Sequence, residues 1–166
     1  MYSLRMWLVL VSPFLTSNSW SDTHLSIRDG LASYFDPNIV EEMQIHSLTG
    51  SRGEPPNLHS FEFIDTKTVK VEGHISSLLQ EVDYEIKHPG IGRSLCFIPR
   101  HALSFRADDY QFDILICYEC RKIRVYRDSK VILEASIQNR SSGKINHLFA
   151  ENDLELSELT FKRNPH

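Results

Sequence analysis

Long apolar runs are missing from this sequence. None reaches the roughly 18 residues that a helix needs to span a bilayer, which excludes a helical integral membrane protein. Positive charge is in deficit: 18 Lys and Arg stand against 22 Asp and Glu, for a formal charge of −4, and no basic stripe interrupts the pattern. A general nucleic-acid binder needs the opposite balance. There is no Gly-x-Ser-x-Gly elbow, no phosphate-cradling glycine loop, no His-Glu-x-x-His and no dinucleotide fingerprint. No repeat or low-complexity tract is present. These absences remove the common hydrolase, nucleotide and cofactor chemistries. No catalytic residue is assigned, no cofactor is expected, and the chain reads as a binding protein rather than an enzyme. Cysteine is scarce, with three residues in 166, all inside Leu95–Tyr126.

What is present is ordinary globular composition, 41% hydrophobic and 24% charged, enough for one folded domain. The N-terminus has the order of a secretory signal: one basic residue at Arg5, an apolar core from Met6 to Leu15, then small polar residues to Ser21. The expected organisation is a signal peptide over 1–20 and a single domain over 21–166, in a secreted or periplasmic protein. Export permits disulfides. The competing reading of Met6–Leu15 is a first buried strand.

The centre of the chain is LCFIPRHALSFRADDYQFDILICYECRKIRVY. Leu95–Arg106 and Phe112–Tyr126 read as strands, with an acidic hairpin turn over Ala107–Gln111. A turn centred on Asp108 and Asp109 pairs residues whose numbers sum to about 216–218. Leu103 then faces Leu115, His101 faces Cys117, and Cys96 falls at or near Cys120. Directly opposed strand residues come close enough for a disulfide, so Cys96–Cys120 is the expected bridge. Cys117 is the candidate for a buried, unpaired thiol. The alternative is a zinc site built from Cys96, His101, Cys117 and Cys120. Strand alternation opposes it, because Cys117 and Cys120 are three apart and point to opposite sides. A third reading pairs Cys117 with His101 as nucleophile and base. Arg100 and His101 are candidate binding residues, each with an ordinary structural role as the competing account.

These blocks, CFIPRH and then ICYEC, resemble an uncharacterised group of small, often exported bacterial proteins that carry a Cys-Phe-x-Pro-x-His segment followed by Ile-Cys-Phe/Tyr-x-Cys. The resemblance runs over about Gly73 to Leu156. It implies that the Cys–His arrangement is a shared feature and that export is common, and it implies no activity.

Elsewhere the pattern predicts a helix from Ser21 or Asp22 to Phe35, stopped by Asp36-Pro37. A strand follows over Met43–Leu48, then a loop over Thr49–His59 with two glycines and Pro55-Pro56. Phe61, Phe63 and Val69, Val71 read as a hairpin broken at Asp65–Lys67. Ile75, Leu78, Leu79, Val82 and Ile86 define the clearest helix, ending near Lys87. Its Glu81, Asp83 and Glu85 read as a solvated face rather than acid/base carboxylates. A turn at Arg127–Lys130, a strand over Val131–Ile137 and a short helix capped by Ser141 or Ser142 complete the chain. Leu154–Phe161 reads as a docked tail. Asn139-Arg140-Ser141 fits the glycosylation pattern, which is common by chance. The expected fold is α+β, an antiparallel sheet of about five strands with two or three helices. Leu103, Phe105, Leu115, Cys117, Ile123 and Val125 are expected in or near the core. The expected function is non-catalytic binding of a protein partner, in the manner of an inhibitor or of an immunity protein that neutralises a toxin. An acidic surface suits a basic partner.

Overall fold

The computed structural model describes residues 30–91 and 95–156. Seven strands, β1 (Glu42–Arg52), β2 (Asn57–Leu58), β3 (Phe61–Lys70), β4 (His101–Ala107), β5 (Tyr110–Cys117), β6 (Lys122–Arg127) and β7 (Lys130–Ser136), form one antiparallel sheet in the order β2-β3-β1-β4-β5-β6-β7. Two helices, α1 (His74–Lys87) and α2 (Ser142–Glu151), pack on one face. The α+β class is as expected, but the strands among the described residues number seven rather than about five. The expected signal segment lies outside the described residues, as does most of the expected Ser21–Phe35 helix.

The helix face of the sheet holds the main core. Ile75, Leu78, Leu79, Val82 and Ile86 of α1 and Ile145, Leu148 and Phe149 of α2 lie against Ile45, Leu103, Phe105, Ile114, Ile123 and Val125. Each such side chain contributes roughly 1.5–3 kcal/mol on burial. The aromatic centre is Phe35, whose ring stands 4.9 Å from both Phe105 and Phe112. All six residues expected in or near the core are buried.

Several expectations are corrected. Thr49–His59 is not all loop: β1 runs on to Arg52, and Asn57–Leu58 adds a short edge strand. Phe61–Lys70 is one strand, not a hairpin. It pairs along β1 from Glu42↔Lys70 to Arg52↔Phe61, so Asp65–Lys67 faces Ser47–Ile45 inside the ladder. Phe112–Tyr126 is two strands, because Tyr118–Arg121 turns the chain back. The central meander therefore has four strands, β4 to β7.

The described end of the first expected helix is a 3-10 turn, Leu31–Ser33. Its leading amides are met by a side chain from α1: Leu31 N–H donates to Asp83 Oδ1 at 2.6 Å, and Lys87 holds the same carboxylate at 2.7 Å. Gly30 precedes this contact with φ 64, and a Cβ there would stand 2.3 Å from Asp83 Oδ1. Glycine is required on both counts.

Candidate functional site

Among the described residues, no helix packs on the second face of the sheet. Alternation sends Leu48, Ala102, Leu115 and Tyr126 to this side, where they form a smaller apolar cluster with Phe61, flanked by Leu58, Phe63 and Phe97. The segment before β4 lies across part of it. The Phe97 ring meets Phe61 edge-on at 6.0 Å and sits 4.1 Å from the Arg124 guanidinium.

Beside this cluster is a buried polar group that the sequence reading missed. Asp113 of β5 accepts a hydrogen bond from His59 Nε2 at 2.8 Å and from Gln111 Nε2 at 3.1 Å. The His59 ring stacks on Tyr126, with centroids 3.6 Å apart. Burial alone would raise the Asp113 carboxyl. The hydrogen bonds from His59 and Gln111 and the nearby His59 ring outweigh it and hold the group below its ordinary value. His46 lies on the same face, its Nδ1 2.9 Å from Thr66 Oγ1, and burial drives it down to about 4. The visible signal was an acid inside the apolar run Phe112–Cys117. The pair fastens the loop before Phe61 onto the sheet, and no nucleophile stands on the imidazole among the contacts of the described residues.

An open groove of about 930 Å³ adjoins this group where β1 begins and β3 and β4 end. Gln44, Thr68, Ser104 and Gln111 supply polar side chains along it. Glu41, Glu42 and Glu72 stand on its rim with Lys70 and Arg106. Three acids and two bases thus surround a cleft that opens where the β1–β4 ladder stops at Gln44↔Ser104.

The sequence-predicted site residues lie elsewhere. Cys96 and Cys120 come to disulfide distance, with Cα atoms 5.9 Å apart. They do not meet as cross-strand partners, since Cys96 precedes β4 and Cys120 lies in the turn after β5. His101 does not face Cys117. The pairs are His101↔Ile116 and Leu103↔Ile114, one residue off the expected Leu103–Leu115 register. A slip of one residue moves a side chain to the other face. His101 therefore enters the helix-side core, with its ring 4.9 Å from Phe149, and Cys117 falls on the opposite side. Burial drives His101 down to about 4, against the Asn146 side chain, which favours the charged ring. The nucleophile–base pair of a thiol enzyme is not assembled. Arg100 is engaged by Glu119, Nε to Oε1 at 3.2 Å.

Among the described residues, no three His, Cys, Asp or Glu side chains gather as metal ligands. No helix among those residues is long and apolar enough to cross a membrane. Glu85, expected on a solvated face, is fully buried. No family model, curated protein or solved structure matches this chain.

Proposed function

We propose that this protein is a non-catalytic binding protein, exported to a secreted or periplasmic location, stapled by a Cys96–Cys120 disulfide, and acting on a protein partner as an inhibitor or immunity protein does. The observation that carries the reading is the open groove of about 930 Å³ at one end of the sheet, with its charged rim. Its walls are strands held on their outer sides, β1 by β3 and β4 by β5, just past the point where the β1–β4 ladder stops at Gln44↔Ser104, so a partner meets backbone that is already in place. The reactive candidates are accounted for by packing: Cys117, His101 and Glu85 are all buried. Glu41, Glu42 and Glu72 add local negative charge to a chain of net −4, which favours a basic loop or tail on the partner.

The test pairs the natural chain with the rim-reversed variant E41K/E42K, each immobilised and exposed to an exported-protein fraction. Any partner retained by the natural chain is then purified and titrated against both. The expected result is at least a tenfold weaker Kd for the variant, about 1.4 kcal/mol, with the loss shrinking as salt is raised. Equal affinity for both chains overturns the groove as the binding surface, and recovery of no specific partner overturns the function.

A further inference from the structure

The three sulfurs are closer companions than a staple and a bystander. Cys117 closes β5, Cys120 sits three residues on in the turn Tyr118–Arg121, and Cys96 lies beside Cys120 with Cα atoms 5.9 Å apart. The Cys117 sulfur accepts the Cys120 backbone N–H at 3.1 Å, so it rests against the residue that holds the bridge. Two intervening residues in a tight turn are a span that Cys-x-x-Cys disulfides close. Exposure is unequal: Cys117 and Cys120 are 1% and 2% exposed, whereas Cys96 is open to solvent. Burial raises the Cys117 thiol above its ordinary value. The backbone N–H groups of Ile98 and Cys120 pull the other way, toward the thiolate, while the charges of Glu119 and Arg100 oppose one another, Glu119 against the thiolate and Arg100 for it.

We propose that Cys96, Cys117 and Cys120 form a three-sulfur exchange site, in which the Cys117 thiolate attacks the Cys120 sulfur and releases Cys96 as a surface thiol. The proposal rests on the Cys96–Cys120 disulfide read above. A Cys117–Cys120 bond forms as the Cys96–Cys120 bond breaks. The proton of Cys117 leaves to solvent and the departing Cys96 sulfur takes one up, so no external oxidant or reductant is consumed. The released sulfur is the solvent-facing one of the three, where the leaving thiolate is best hydrated. Cys96 then becomes a modification site for small disulfides such as oxidised glutathione: its thiolate forms the mixed disulfide and expels one glutathione thiol. Release also loosens the segment that holds Phe97 against Phe61 and Arg124 on the second face.

The experiment treats the native, oxidised chain with iodoacetamide at pH 8, denatures it, blocks remaining thiols with N-ethylmaleimide and maps the peptides without reduction. The expected product carries the iodoacetamide mark on Cys96 and a Cys117–Cys120 disulfide, and C117S lowers Cys96 marking at least tenfold. A mark on Cys117, or on no cysteine, with Cys96–Cys120 intact overturns the exchange and leaves the staple standing. Equal Cys96 marking in C117S also overturns the exchange. Marks on all three cysteines overturn the disulfide itself, and the exchange with it.

Discussion

Glu85 shows how one side chain joins two elements. It projects from α1, is fully buried, and accepts the backbone N–H of Ser141 at 3.1 Å, the Ser141 hydroxyl at 3.1 Å and the N–H of Arg140. Ser141 is the N-cap of α2 but makes no side-chain cap, so Glu85 supplies from another helix the acceptor that the first turn of α2 lacks. Tyr118 extends the group, its hydroxyl 2.9 Å from Ser141 Oγ. Deleting the carboxylate leaves buried donors unmet, and E85A is expected to lower unfolding free energy by about 3 kcal/mol in a urea titration. E85Q keeps an acceptor and loses less. Burial raises the Glu85 carboxyl despite the hydrogen bonds from Ser141 and Arg140. Its favourable contribution is therefore present at acid pH and lost as pH rises through the folded-state value, so E85Q gains on the natural chain as pH goes up. The position was partly legible. Glu85 lies seven residues after Leu78 and three after Val82, on the apolar stripe, but the sequence does not show which donors would meet it there.

At the scale of elements, the two tight hairpin turns rich in aspartate were readable. Asp108-Asp109 closes β4 onto β5 with Ala107↔Tyr110 paired, within the predicted turn. Arg127–Lys130 closes β6 onto β7, with Asp128 at φ 46 and Ser129 at φ 66. Two left-handed residues in succession favour Asp-Gly. S129G is expected to raise stability by roughly 0.5–1 kcal/mol, read from the thermal midpoint and its enthalpy. Asp128 is a different matter, because its Oδ1 accepts the Gln111 N–H at 3.1 Å. D128G should lose what S129G gains. Strand extents were less legible. Asp65–Lys67 reads as a break by composition, yet β1 offers a full ladder opposite it, and backbone pairing overrides a local preference. The second strand in the centre was read through its turn for the opposite reason: Tyr118–Arg121 contains no glycine or proline to mark the reversal.

For the whole molecule, the two buried histidines set the response to acid. His46 and His101 both titrate near 4 in the folded chain, below an ordinary value of about 6.5. Lowered values mean that stability is whole above about 6.5 and falls as pH drops toward 4, by about 3 kcal/mol for each histidine. Denaturant midpoints measured between pH 7 and pH 4 should show that decline, with Glu85 working weakly against it, and H101F should flatten the slope. By itself the sequence determined the α+β class, the main helix and the apolar stripes, because each follows from periodicity; it placed Cys96 near Cys120 as expected, but through a strand pairing that the structure replaces with a pre-strand segment against a turn. Only the tertiary structure decided that His101 and Cys117 lie on opposite faces, that Glu85 is buried, and that His59 reaches Asp113 to close a polar group beside the groove. Those outcomes depend on register to a single residue and on contacts between segments more than 50 residues apart in the chain, and no local pattern encodes either.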